Sequence, residues 1–121
     1  MPARKPLSVT KLCNIVVQAL EDLKAFNIKI LNVKKLTSIT DRMIIASGNS
    51  SRQVSALADK VIAAAKERGI RPLGVEGVLG GDWALIDLGD VVVHIMRPAI
   101  RDYYQLEKLW SVQKSRKVAT G

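Results

Sequence analysis

Apolar residues recur with helical spacing in two long stretches of this chain and with strand-like spacing in five shorter ones. Ser8 suits a helix N-cap. Behind it Leu12, Ile15, Val16, Ala19, Leu20 and Leu23 fall at i, i+3, i+4, i+7, i+8 and i+11, which lines one face of an amphipathic helix. Val54, Leu57, Ala58, Val61, Ile62 and Ala65 repeat the pattern. Ser50 or Ser51 can cap that second helix, and Gly69 suits its C-terminal end. Ile28, Ile30 and Val33 read as a strand in which Leu31 is an exception to the alternation. Arg42 to Ser47 holds the compact run of a buried strand, broken by Gly48-Asn49-Ser50-Ser51. Arg71-Pro72 blocks further helix, and Leu73 to Glu76 reads as a short strand. The three glycines between Gly77 and Gly81 predict a mobile loop. Trp83 to Asp87 and Val91 to Met96 flank Leu88-Gly89-Asp90, a hairpin signal. Pro98 suits the first turn of a last helix, Ala99 to Trp110.

The predicted order is α-β-β-α-β-β-β-α, without repeat or linker. Its natural architecture is a single α/β domain at residues 8–110, a mixed sheet flanked by helices. Residues 1–7 and 111–121 read as flexible tails.

Composition narrows the function classes. A chain of 121 residues suits one domain with one modest core. No apolar run approaches the ~20 residues of a membrane helix, and Met1 to Pro6 lack an apolar stretch of signal-peptide type. A cytoplasmic protein with no membrane contact is expected. One cysteine, Cys13, and one histidine, His94, allow no internal disulfide and no familiar metal-ligand cluster, so no metal or cofactor is expected. The net charge of +8 is uneven. Residues 1–35 hold seven basic and two acidic side chains, residues 36–98 seven of each, and residues 99–121 five and two. The neutral body argues against a core face built around nucleic acid. The basic ends could skim the phosphates of a nucleic acid by sequence-independent attraction, or serve only as solvated tails.

Candidate chemistry is sparse. Gly48-Asn49-Ser50-Ser51 follows a strand and opens a helix, so its free amides could take a phosphate; an ordinary β-to-α turn has the same residues. Metal-dependent nucleotidyl transfer needs gathered carboxylates. Asp82, Asp87 and Asp90 include no pair two apart, and Asp87 and Asp90 suit turn formation. His94 shares a strand face with Val92 and Met96, a pattern commoner for a packed histidine than for a base. Cys13 lies on the apolar-periodic first helix, which disfavours a Cys/His hydrolase, and no Gly-x-Ser-x-Gly elbow occurs. The five aromatics, Phe26, Trp83, Tyr103, Tyr104 and Trp110, do not interleave with basic residues on a strand as a general RNA-binding face would. Trp83, after the glycine loop, suits either core closure or a partner anchor.

Two stretches carry a specific resemblance. One is Ser38-Ile39-Thr40-Asp41-Arg42-Met43-Ile44-Ile45-Ala46-Ser47-Gly48-Asn49-Ser50-Ser51-Arg52-Gln53-Val54. The other runs from Pro72-Leu73-Gly74-Val75-Glu76-Gly77 through Asp82-Trp83 and Asp87-Leu88-Gly89-Asp90-Val91-Val92-Val93-His94-Ile95-Met96 to Tyr104-Gln105-Leu106-Glu107-Lys108-Leu109-Trp110. Together they resemble the ribosomal silencing factor, or Iojap, family over residues 8–110. The resemblance implies a nucleotidyltransferase-like fold without transferase activity. It implies binding to the large ribosomal subunit at that subunit's ribosomal protein fourteen, obstruction of small-subunit joining, and repression of translation. The enzyme alternative is a nucleotidyltransferase acting on a nucleotide. A homodimer stays open.

The expected partner surface lies on the final helix and the strands beside it. On a helical wheel Ile100, Tyr104, Leu109, Leu106, Trp110 and Tyr103 span an arc of about 220°, wider than the ~100° stripe a helix needs for its own core. Part of that arc should be exposed, with Glu107 inside it and Lys108 and Arg101 flanking it. The surface is therefore placed on Asp82, Trp83, His94, Met96, Arg101, Tyr104, Glu107, Lys108 and Trp110.

Overall fold

A computed structural model describes residues 8–106 and 108. Its elements are α1 (Val9–Asp22), β1 (Phe26–Asn32), β2 (Arg42–Ser47), α2 (Ser51–Glu67), β3 (Gly74–Glu76), β4 (Trp83–Asp87), β5 (Val91–Met96) and α3 (Pro98–Tyr104). Order and type match the sequence reading. The tails at 1–7 and 111–121 lie outside the described residues.

Both long helices start and stop on local signals. The Ser8 hydroxyl accepts from the Lys11 amide, and Ser50 does the same for Gln53. At the end of α2 the Gly69 amide donates to Lys66 and the Ile70 amide to Ala65. This Schellman pattern needs a left-handed residue, and Gly69 supplies it at φ 79°. α1 ends in the same way on Lys24, at φ 64°.

The strands form one sheet in the order β1-β2-β5-β4-β3. β2 and β5 run parallel, joined by the α2 crossover and the β3–β4 hairpin, and every other neighbour is antiparallel. One face packs against α1 and α2. Leu20, Val16, Val54, Leu57 and Val61 meet Ile44, Ile86, Val93 and Ile95 there. Full burial of each such side chain is worth about 1.5–3 kcal/mol. The opposite face carries a smaller cluster of Val33, Met43, Ile45 and Met96, against which Leu31, Trp83, Ile100 and Leu106 pack. Because β2 and β5 are covered on both faces, they read as nearly continuous apolar runs, with His94 the polar residue inside β5.

Three expectations change. Leu31 keeps to the alternation, since it and Val33 both join the smaller cluster, while Ile30 is the exposed position. A register shift between Phe26 and Lys29, with Asn27 at φ 52°, moves the parity. The glycine segment is pinned: Val78 packs on the main core, its carbonyl accepts from the Ser55 hydroxyl, and the Gly81 amide donates to Gly77. Its glycines serve close approach, for a Cβ on Gly81 would lie 2.5 Å from the Ser51 carbonyl oxygen. Finally, α3 ends at Tyr104. Gln105 takes the left-handed conformation at φ 49° and ψ 51°, so wheel angles carried past that residue do not hold.

Candidate functional site

Strand pairing brings the candidate residues together on the sheet face away from α1 and α2. Trp83 lies opposite Met96, and His94 lies opposite Leu85. Because β2 and β5 are in register, Ser47 stands beside Met96. α3 then crosses this end of the face. Its N-cap, Arg97, donates its backbone amide to the Asp82 carbonyl at 3.1 Å and its guanidinium Nη1 to Asp82 Oδ1 at 3.2 Å. An exposed pair like this adds little stability; its effect is to fix where α3 leaves β5.

The result is a chain of four rings. The Trp83 indole Nε1–H donates to His94 Nδ1 at 2.9 Å, with ring centroids 5.8 Å apart. Trp83 lies 4.8 Å from Tyr104 at a tilted angle, and Tyr104 meets Tyr103 edge-on at 4.9 Å. These are favourable aromatic separations. Exposure rises along the chain, from 6% at His94 to 50% at Tyr104 and 79% at Tyr103. The inner end is therefore locked by packing and the outer end is available for contact. Rigid aromatics flanked by a charged pair form a common hot-spot arrangement.

His94 anchors the set as a neutral imidazole at neutral pH. Accepting at Nδ1 places its proton on Nε2, and burial pushes its pKa down to about 4. The histidine of an unfolded chain titrates near 6.5, so the unfolded state takes up the proton first. Stability should be unaffected above about pH 6.5 and fall as the pH drops from there toward about 4, by as much as roughly 3 kcal/mol. Urea midpoints of wild type and His94→Gln across this window test it: the difference between the two should narrow on acidification, and a constant difference would show that His94 does not titrate there.

Seven of the nine expected partner residues now have a place. Asp82, Trp83 and Tyr104 are on this patch with surface to offer. Three expectations are corrected. Met96 is fully buried under α3, and His94 is covered by its neighbours, so both support the patch from below. Arg101, expected on the rim, is buried at 7% and donates from Nη1 to Ser47 Oγ at 2.8 Å; facing the sheet, it tethers α3 to β2. Lys108 is exposed. Glu107 and Trp110 lie outside the described residues. The expected surface omitted Arg97 and Tyr103; Arg97 follows β5 directly, but only the fold shows that Asp82 is its neighbour.

The sites of the enzyme alternative are occupied by the chain itself. Gln53 accepts from the Asn49 amide while Ser50 accepts from Gln53, so the start of α2 caps itself. Gly48 packs closely on α2, where a Cβ would sit 3.1 Å from Val54 Cγ2. Asp87 accepts from the Gly89 amide at 2.9 Å, the turn role. Cys13 faces the main core, and burial raises its pKa despite the opposing charge of Arg42. It is separated from His94 by the sheet.

Comparison with known proteins adds independent findings. The family model described as "Ribosomal silencing factor during starvation" matches residues 6–120. The chain is 48% identical over 108 residues to the ribosomal silencing factor RsfS of Chromobacterium violaceum, covering 89% of this chain and 88% of the relative. It is 46% identical over 100 residues to the Haemophilus influenzae RsfS, covering 83% and 98%. A mouse protein named for mitochondrial assembly of the ribosomal large subunit is 31% identical, covering 83% of this chain and 45% of its own length. A crystal structure of a Chromobacterium violaceum protein superposes with a TM-score of 0.85 at 48% identity, covering 87% and 88%.

Proposed function

The chain belongs to the ribosomal silencing factor family, and from that premise we propose that it silences by docking on the large ribosomal subunit through ribosomal protein fourteen. Bound there, it stands in the way of the small subunit and translation falls. The observation that supports docking is the graded patch of Trp83, Tyr104 and Tyr103, locked at its inner end by His94 and exposed at its outer end. The mouse relative's name points to the large subunit.

Such a mechanism needs no bond chemistry. Silencing by obstruction depends on occupancy alone, and occupancy follows affinity and concentration. The self-capped start of α2 and the turn role of Asp87 fit a binding protein better than a nucleotidyltransferase. Titration calorimetry of this protein with isolated ribosomal protein fourteen tests the partner. The expected result is one-to-one binding with a negative heat-capacity change from apolar burial. No heat at saturating concentrations, with both proteins folded, would remove that protein as the contact.

A further inference from the structure

A run of lysines without acidic residues follows one edge of the sheet. From Leu23 to Thr40 the sequence contains Lys24, Lys29, Lys34 and Lys35 and no Asp or Glu. All four lysines are exposed. They follow β1, the outermost strand: Lys24 in the turn before it, Lys29 within it, Lys34 and Lys35 in the turn after it. The seven residues of β1 extend about 23 Å at ~3.3 Å per residue. The nearest acids in sequence are Glu21, Asp22 and Asp41. Asp22 reaches Lys60 at 4.0 Å, and among the described residues no ion pair joins a carboxylate to any of the four lysines. Beside the strand a cleft of about 300 Å³ opens toward α3, lined by Lys29, Arg101 and Lys108, with Asp102 its one acid among the described residues.

We propose that the β1 edge is a phosphate-backbone site, which lies along ribosomal RNA while the aromatic patch holds protein. This deepens the docking reading and rests on it. A line of separated lysines matches a polyanion whose charge is itself spread along a line. Lysine offers a strongly hydrated point charge, suited to phosphate and carrying no base readout. Phe26, the one aromatic on the strand, is half-buried, so no platform for stacked bases interrupts the stripe. The basic tails, where the sequence alone placed RNA contact, are a separate source of charge.

The full chain tests this with its tails present, so that any change reports the stripe alone. The test variant carries Lys24→Gln, Lys29→Gln, Lys34→Gln and Lys35→Gln. A charge-keeping control carries arginine at the same four positions, and circular dichroism checks both folds. One readout is fluorescence anisotropy with a labelled 20-base-pair RNA duplex over a range of potassium chloride. The other is cosedimentation with large subunits. The log–log salt dependence should flatten by about 0.9 for every phosphate that is no longer neutralised. If each of the four lysines neutralises one phosphate, the glutamine variant should drop by about 3.6 units of slope and at least tenfold in duplex affinity at low salt, while the arginine variant matches wild type. Should the glutamine variant fail to fold, Lys29→Gln alone should flatten the slope by about one unit. Equal slopes for wild type and the folded variant would overturn the stripe. So would weakened subunit binding with unchanged duplex binding, which would point to an acidic protein surface. If wild type does not cosediment with large subunits but duplex binding still depends on the lysines, the stripe stands and the docking reading fails.

Discussion

Tyr104→Ala is expected to lower affinity for the large ribosomal subunit by about 2 kcal/mol or more, the hot-spot scale, while leaving the fold intact. Tyr104 is half exposed and packs at a tilt against Trp83, centroids 4.8 Å apart, so its ring is already ordered before a partner arrives. Little side-chain entropy is then lost on binding, which is how rigid aromatics come to dominate interfaces. Trp83 is the less informative position, because removing its indole leaves the covered His94 without its hydrogen-bond donor and mixes stability with binding. Lys108→Glu should also weaken binding without unfolding, by reversing an exposed charge on the cleft between β1 and α3. Cosedimentation with large subunits, alongside circular dichroism, separates the effects. Full binding by folded Tyr104→Ala would move the interface away from this end of the sheet.

Gly77→Ala should destabilise the domain by at least about 3 kcal/mol, among the larger effects a single substitution produces. Gly77 sits at φ 77°, and a Cβ there would lie 2.0 Å from the Trp83 carbonyl oxygen and 3.1 Å from its carbon. The left-handed conformation alone costs an L-residue about 1–2 kcal/mol. The overlap is with backbone, so it can be relieved only by moving the start of β4. That movement carries Trp83 with it and should loosen the docking patch as well. Gly80→Ala is the matched control, since its nearest neighbour would be 3.8 Å away. Urea unfolding should show Gly80→Ala close to wild type and Gly77→Ala far below it; equal midpoints would mean that the loop yields without cost.

Much of this molecule is legible in its sequence because so many of its signals are local. Ser8, Ser50 and Gly69 mark helix boundaries that the hydrogen bonds respect, and the parity of Val91 to Met96 puts His94 and Met96 on one face. What parity cannot supply is depth. Met96 and His94 look like surface candidates until α3 is laid over them, and Arg101 looks like a rim charge until Ser47 is found beneath it. Gln105 gives no warning of its left-handed turn, since glycine and asparagine are the usual residues there. Strand alternation also misleads in β1, where the positive φ of Asn27 shifts the register. The excess of positive charge in residues 1–35 is visible from composition. Its placement along the β1 edge needs the strand order.

The central claim is that this protein holds the large subunit apart from the small one. Sucrose-gradient sedimentation of separated subunits, mixed under joining conditions with increasing amounts of the protein, measures this directly. The protein should travel with the large subunit, and the joined-ribosome peak should shrink in proportion to the large subunits occupied. A joined peak of unchanged size when every large subunit carries the protein, or sedimentation of the protein with the small subunit, would contradict the account.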